Sequence, residues 1–471
     1  MNEVVFPRAE DGQRSGSAFG RAVVADALRV ADPAAATAAE RETDWRTGYL
    51  PHFRAVVEAG LDDGYDIARA GLASVHSRMR VAHDDGEMSL DDVFDQAAEP
   101  LETVTVRGEG KPEQELVLPY RGELLRGDAL LRQLDRWVEL GTIEPSCAEA
   151  VREVAAEPEW LDLSDQRLVV LGAGAEMGPL PAVLAWGGTV VGIDLPRPQV
   201  WARVAATARE SAGTLIAPGA TIERAGVDLV TGLPAAAQWL LGIEGRLVLG
   251  NYVYAPGPAY PRLSAAVDAL CLRVQRERPD TALAFLATPT DVFAVPPAVV
   301  EQATGRFRER PAGRKLVGAL SGGRLLQPNY PAGADPGIAD SLVPQQGPNY
   351  ALAKRIQRWR ASVARRDGTT VGFSVAPPTH TRSVTSNRLL AAAYAGAHMF
   401  GVEIFEPATS NRLMAALLVH QLRKPRPAAP AVWRDEAIGA AHGGLWRSAY
   451  RPRTALGLAA VRGLPAALRR S

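Results

Sequence analysis

Beyond Asp162 the sequence alternates short apolar runs with helical segments, and this alternation restricts the fold more than any other feature. Such a pattern is typical of parallel strands joined by crossover helices. It predicts an α/β fold built on a doubly wound parallel sheet of six strands. The predicted strands cover residues 167–171, 189–194, 227–230, 246–250, 281–288 and 370–375.

Three glycines follow the first predicted strand, at Gly172, Gly174 and Gly178. Glycines at this point let the chain turn tightly and bring amide groups and a helix N-terminus against a pyrophosphate. Asp194 ends the next predicted strand, where a carboxylate can accept hydrogen bonds from an adenosine ribose. The four residues therefore predict a Rossmann-type nucleotide site. Their spacing alone does not separate NAD(P) from S-adenosylmethionine.

Tyr350 and Lys354 lie four residues apart, a spacing that places both side chains on one face of a helix. Only four of the 52 basic residues are lysines, which makes this placement more notable. On a shared face the phenol can act as an acid, and the ammonium group can favour its phenolate. With the glycine turn upstream, the pair predicts a proton-transfer site.

These features resemble the short-chain dehydrogenase/reductase family over about 210 residues, from position 167 to about 381. The glycine motif of that family falls on Leu171, Gly172, Glu176 and Gly178, and this chain departs from it at two of the four positions. Glu176 places a carboxylate near the expected pyrophosphate. The Tyr-x-x-x-Lys motif of the family is similar to the segment 350–354, and its turn after the sixth strand is similar to 375–381.

The resemblance extends to four further positions. The acidic residue that follows the third strand in the family is matched by Asp228, and the asparagine after the fourth strand is matched by Asn251. Where the family carries a catalytic serine after its fifth strand, this chain has Thr288, with Thr290 as the reserve candidate. The resemblance thus implies that Asp228 binds the cofactor and that Asn251 and Thr288 belong to the catalytic group.

The resemblance also implies a reaction, namely hydride transfer between NAD or NADP and a carbonyl or alcohol substrate. Tyr350 would donate the proton to the carbonyl oxygen, which Thr288 would hold. Lys354 would assist Tyr350 and reach the nicotinamide ribose, while Asn251 would keep a proton-relay water in place. Asp194 slightly favours NAD, whereas Arg197 could attract the additional phosphate of NADP.

Two other functions remain open. The first is an S-adenosylmethionine-dependent methyltransferase, because Gly172 and Gly174 followed by Asp194 also suit that ligand, although methyl transfer leaves Tyr350 without a role. The second is a noncatalytic binding module that keeps the Rossmann scaffold, as suggested by Glu176 in the glycine motif.

The pattern along the chain predicts four regions. Residues 1–45 lack sustained periodicity and predict a flexible arm. Residues 46–163 predict a mainly helical N-terminal module that contains a hairpin around a turn at 108–112. The Rossmann domain would then cover 164–424, with a long insertion at 297–346 over the substrate pocket, and 425–471 would form a weakly amphipathic tail.

The composition limits the kinds of binding partner and the cellular location that we expect. The charges of the 52 basic and 53 acidic residues nearly cancel, so we expect no basic surface that would bind nucleic acid. The two cysteines, Cys147 and Cys271, have no disulfide or zinc spacing, and the lone His380 is expected to be structural, so no metal is predicted. No apolar run is long enough for a signal peptide or a membrane span, and the two isolated cysteines fit a reducing cytoplasm, so a cytoplasmic location is expected. The small-molecule carbonyl or alcohol substrate is what the family resemblance implies. A homo-oligomer remains open.

Overall fold

The computed structural model describes residues 2–9, 12–84, 86–385 and 387–467. The strands are β1 Glu3–Val5, β2 Arg80–His83, β3 Gly86–Met88, β4 Thr103–Arg107, β5 Leu118–Tyr120, β6 Glu123–Leu125, β7 Gln166–Leu171, β8 Thr189–Ile193, β9 Thr214–Pro218, β10 Arg246–Asn251, β11 Ala282–Ala287, β12 Val292–Val295, β13 Gly337–Asp340 and β14 Val371–Val375. The helices are α1 Gly16–Arg29, α2 Pro33–Glu40, α3 Trp45–Arg78, α4 Gly127–Glu139, α5 Pro145–Ala156, α6 Leu180–Ala185, α7 Pro198–Glu210, α8 Leu233–Leu241, α9 Ala259–Glu277, α10 Pro297–Arg308, α11 Ala312–Leu320, α12 Pro348–Arg366, α13 Arg382–Thr385, α14 Arg388–Gly396, α15 Pro407–Arg423, α16 Val432–Ala437 and α17 Pro452–Ala467.

A seven-stranded sheet organises the fold, with the order β14-β11-β10-β7-β8-β9-β4. Six of its strands are parallel, and β4 joins the edge antiparallel to β9. The predicted α/β class with a mostly parallel sheet is therefore confirmed. Parallel strands end at one edge of a sheet, so the loops that follow β7, β10, β11 and β14 lie close together.

Helices cover both faces of this sheet. Along β7, Val169 and Leu171 belong to one apolar cluster with α3, α9 and α12. The alternate residues Leu168 and Val170 belong to a second cluster with α5 and α15. Because neighbouring residues of a strand point to opposite faces, both faces of this sheet are buried, as is typical of parallel sheets.

Five of the six predicted strands are confirmed as β7, β8, β10, β11 and β14, with ends shifted by a residue. The predicted strand at 227–230 is wrong, because this segment is a turn and the third strand is β9. An Asp228 carboxylate oxygen accepts the N–H of Val230 at 2.9 Å. This local hydrogen bond stabilises a turn and competes with strand pairing.

The hairpin predicted around 108–112 is also wrong. Strand β4 pairs with β9, while β5 pairs with β6 in a small hairpin of its own. After β4 the pairing continues through main-chain bonds, since the N–H groups of Gly108 and Gly110 donate to Gly213 and Ser211. A Cβ at Gly108 would lie 2.1 Å from the Ser211 carbonyl oxygen, so glycine is required there for close approach.

The N-terminal segment, predicted as a flexible arm, instead forms α1 and α2 and packs into the core. Val23, Val24 and Leu28 of α1 are fully buried in the cluster that also contains α3. The following region, 46–163, is divided between the two faces of the sheet, because α3 packs with α12 whereas α4 and α5 lie on the side of α15. It is therefore not a single helical module.

The segments predicted as insertion and tail also contain regular structure. The insertion at 297–346 holds α10, α11 and β13, and β13 pairs antiparallel with β12. The C-terminal region holds α16 and α17, and its side chains Trp446 and Tyr450 are almost fully buried. Among the helices of the described residues, none is long and apolar enough to cross a membrane.

Candidate active site

A cavity of about 950 Å³ lies at the carboxyl ends of the parallel strands. Its walls include the loops that follow β7, β10, β11 and β14, together with the start of α12. Helices α14 and α17 close another side. The crevice beyond the strand ends is where open α/β sheets commonly bind ligands, so this cavity is the candidate site.

Helix α12 presents Tyr350 and Lys354 to the cavity. The helix begins at Pro348, directly after Gly347, whose φ of +78° suits glycine. Tyr350 is half-buried in an aromatic cluster, with ring centroids 6.5 Å from Tyr254 and 5.7 Å from Tyr260. Lys354 follows one helical turn after Tyr350, and both side chains line the cavity, as the spacing in the sequence predicted.

Lys354 is anchored at the end of β11. Its Nζ donates to the main-chain oxygen of Leu286 at 3.2 Å and to Oε1 of Gln357 at 3.1 Å. Burial lowers the pKa of Lys354, and this effect is opposed by Tyr350 and Asp291. The ammonium group therefore releases its proton more readily than that of an exposed lysine.

Thr288 completes the group. Its side chain lines the same cavity as Tyr350, and its Oγ1 lies 2.8 Å from Oγ1 of Thr290. Thr290 is held in turn by Gln346, whose Nε2 donates to it at 2.9 Å. Burial raises the pKa of Tyr350 well above its ordinary value, whereas Lys354 and Thr288 lower it. The structure thus brings the predicted Thr288, Tyr350 and Lys354 together.

The glycine turn after β7 borders the same cavity, but its geometry differs from the prediction. Gly172 has a φ of +90°, and Gly174 lines the cavity. The next helix, α6, begins only at Leu180 and has six residues. The expectation that the glycines open a helix is therefore wrong. The turn can offer amide groups to a ligand, but not the terminus of a long helix.

Asp194 is engaged with the main chain of this turn. One carboxylate oxygen accepts the N–H of Gly174 at 2.8 Å, and the other accepts the N–H of Leu195 at 2.7 Å. Among the described residues, Asp194 is not in the cavity wall, and neither are Gly172 and Gly178. In this structure Asp194 holds the turn, and its predicted contact with a ribose stays a prediction.

Asp228 and Asn251 also lie outside the wall formed by the described residues. Asp228 belongs to the turn described above. Asn251 ends β10 and is buried, and its Oδ1 has no hydrogen-bond partner within the described chain. A buried amide oxygen without a partner is costly and commonly satisfied by water. The next residue, Tyr252, lines the cavity. The water-holding role that the resemblance implied for Asn251 stays a prediction.

Glu176 reaches across the cavity instead of crowding the turn. Its Oε2 accepts the main-chain N–H of Arg382 at 2.8 Å, and its Oε1 lies 3.0 Å from Nε of the same arginine. Arg382 begins α13, in the segment that follows β14. Glu176 therefore links the glycine turn to the segment on the other side of the cavity.

Sequence reasoning missed several cavity residues, among them Gln346, Tyr394 and Tyr450. Gln346 could have been noticed, because it directly precedes the Gly-Pro start of the helix that bears Tyr350. The other two lie in regions without a motif. In the described part of the chain, no group of three or more His, Cys, Asp or Glu side chains could hold a metal ion. A comparison with known protein families found no matching family, and no curated protein matched this chain.

Proposed function

We propose that this protein is an NAD(P)-dependent oxidoreductase, similar to the short-chain dehydrogenases/reductases, that acts on a carbonyl or alcohol substrate. The observation that carries the proposal is the placement of Thr288, Tyr350 and Lys354 in one cavity, which the glycine turn also borders. A methyltransferase or a binding module gives these three residues no common task.

The strand order supports the same proposal. Counted from β7 along the chain, the six parallel strands follow the order 3-2-1-4-5-6 that is typical of dinucleotide-binding sheets. The point at which the order reverses lies between β7 and β10, and the loops after both strands line the cavity. We therefore assign the cofactor to this crevice, with Gly174 and its neighbours near the pyrophosphate and Lys354 near the nicotinamide ribose.

The residues of the chain would handle the proton. A bound nicotinamide cofactor would supply or accept the hydride. Tyr350 would donate its phenolic proton to the carbonyl oxygen during reduction, and Thr288 would hold that oxygen by a hydrogen bond. Lys354 would stabilise the phenolate that remains, because an ammonium group nearby favours the charged form of the phenol.

Calorimetric titration with NADH, NADPH and S-adenosylmethionine tests this proposal without a known substrate. We expect one nicotinamide cofactor to bind in the micromolar range. Lys354→Met should weaken that binding about tenfold or more, because a charge-assisted hydrogen bond contributes about 1.5–3 kcal/mol. Lys111→Met is the matched control, since Lys111 is exposed on a distant loop and should leave the affinity unchanged.

Each other outcome points elsewhere. Binding of S-adenosylmethionine alone would favour a methyltransferase. Binding of none of the three ligands would contradict the oxidoreductase and favour a noncatalytic module.

A further inference from the structure

A second cavity, of about 740 Å³, adjoins the one that contains Tyr350. The two cavities share wall residues, including Tyr394, Phe400, Val402 and Tyr450. The shared residues place the two cavities side by side. The chemistry of the second cavity differs from that of the first, because four arginines line its wall.

Three of these arginines recur at intervals of four residues, with Arg306 in α10, Arg310 in the connection and Arg314 in α11. All three are half-buried. Arg306 donates to the main-chain oxygens of Arg447 and Leu140, at 2.8 and 2.9 Å. Burial and the charge of Arg447 lower the pKa of Arg306, the direction expected for a cation that lacks an anionic partner.

Arg310 and Arg314 are held by main-chain oxygens and by aromatic rings. Arg310 donates to the oxygen of Phe307 and lies 3.6 Å from the centroid of its ring. Arg314 donates to Met399 and lies 5.2 Å from the ring centroid of Phe400. Their positions are thus fixed without a counter-ion, since within the described residues neither they nor Arg306 forms an ion pair with a carboxylate.

The acidic residues of the wall do not cancel this charge. Glu403 is already occupied, because its carboxylate accepts from Tyr120 at 2.6 Å and from Trp137 at 3.2 Å, and it pairs with Arg121 at 3.2 Å. Glu309, the other acid of the wall, is exposed to solvent. The half-buried guanidinium groups leave a surplus of positive charge in a confined space, which favours an oxyanion that can accept their forked hydrogen bonds.

We propose that this arginine cavity binds a phosphate or carboxylate group of the substrate whose carbonyl lies at Tyr350. The assignment of the anion to a substrate rests on the proposed oxidoreductase function, whereas the anion site itself rests on the arginines alone. The enzyme would thus select carbonyl compounds that carry an anionic group at a distance from the reacting carbon.

The test is calorimetric titration of the full chain with inorganic phosphate and, separately, with acetate. Saturable phosphate or acetate binding is expected in the wild type. The double variant Arg310→Gln/Arg314→Gln should weaken it at least about tenfold, as expected for lost charge-assisted hydrogen bonds. Arg308→Gln is the matched control, because Arg308 ends α10 on its exposed side, outside the cavity. The anion that binds more tightly identifies the group.

NADH titration of the same variants separates this proposal from the proposed function. Unchanged NADH affinity in the double variant, with weakened anion binding, supports a substrate subsite. Loss of NADH affinity in the double variant would overturn it, because the arginines would then serve the cofactor phosphates. Equal anion binding in the wild type and the double variant would also overturn it. If no nicotinamide cofactor binds to any variant while the arginine-dependent anion binding persists, the anion site stands and the oxidoreductase fails, so the assignment to a carbonyl substrate is overturned.

Discussion

At the scale of single residues, the proton affinities of Tyr350 and Lys354 depend on each other. Burial raises the pKa of Tyr350, so its phenol keeps the proton at neutral pH and can serve as a donor. Burial lowers the pKa of Lys354, which therefore loses its charge first as the pH rises. Because the Lys354 charge lowers the pKa of Tyr350, its loss strengthens the hold of the phenol on its proton. In the proposed reaction, Tyr350 would therefore act as a proton donor near neutral pH.

Tyr350→Phe is expected to abolish reduction of a carbonyl substrate found by screening. A positioned proton donor contributes about 100- to 10,000-fold to a rate, and phenylalanine removes only the hydroxyl. The NADH affinity, measured by calorimetry, should stay within about twofold of the wild type. The phenolic proton takes part in the reaction step and not in the binding of NADH. Tyr254→Phe removes a hydroxyl from the same aromatic cluster and should keep most of the activity. Full activity in Tyr350→Phe would exclude Tyr350 as the donor.

The sequence could predict Thr288, Tyr350 and Lys354 because their order along the chain follows the strand ends that bring them together. It could not predict the partners of Asp194. A carboxylate at the end of a strand can accept from a ligand or from main-chain N–H groups, and only the folded turn decides between them. In this structure the main-chain groups of Gly174 and Leu195 are the partners.

At the scale of elements, the turn between β7 and α6 depends on Gly172. Its φ of +90° is unfavourable for residues with a Cβ, and a Cβ at this position would lie 2.9 Å from the main-chain oxygen of Tyr252. Gly172→Ala should therefore lower the free energy of unfolding by at least about 1 kcal/mol, measured by urea denaturation.

A second glycine provides a control, because its replacement by alanine should change the free energy of unfolding in the opposite direction. Gly305 lies inside α10, and a Cβ added there would meet no atom within 4 Å. Gly305→Ala should raise the free energy of unfolding by about 0.5–1 kcal/mol, because alanine is the better helix former. A stabilising Gly172→Ala would mean that the turn adopts another conformation.

The strands show which elements a sequence can reveal. Buried parallel strands such as β7 and β10 are continuous apolar runs, so their positions were predictable. Strand β9 has only three apolar residues before Pro218, and the nearby 227–230 also has three, with Asp228 between them. The choice between them depends on pairing with β8 and β4, which are distant in sequence. The hairpin prediction failed for the same reason.

At the scale of the whole molecule, the C-terminal region is part of the core. Glu144, at the start of α5, is buried and contacts two residues of that region. Its carboxylate lies 2.8 Å from His442 Nε2 and accepts two hydrogen bonds from Arg447, each at 2.7 Å. Arg447 also donates to Gln302 of α10 at 2.8 Å. This cluster joins the layer of α5, the insertion and the end of the chain.

The same cluster predicts a dependence of stability on pH. Burial alone would raise the pKa of Glu144, but His442 and Arg447 outweigh it and lower the pKa from 4.5 to about 2. A carboxyl with a lower pKa in the folded state stabilises the protein above pH 4.5, and this contribution is lost as the pH falls toward 2.

Glu144→Gln should lower the free energy of unfolding by about 3–5 kcal/mol at neutral pH, because it leaves the largely buried Arg447 without its counter-ion. At about pH 3.5 the difference in free energy of unfolding between wild type and variant, measured by urea denaturation, should be smaller by about 1 kcal/mol. At this pH the stabilisation that the Glu144 carboxylate gives the wild type has begun to fall. Glu149→Gln, at an exposed position of the same helix, should change stability by less than about 0.5 kcal/mol at either pH. A difference that does not vary with pH would show that the charge of Glu144 does not hold the C-terminal region in place.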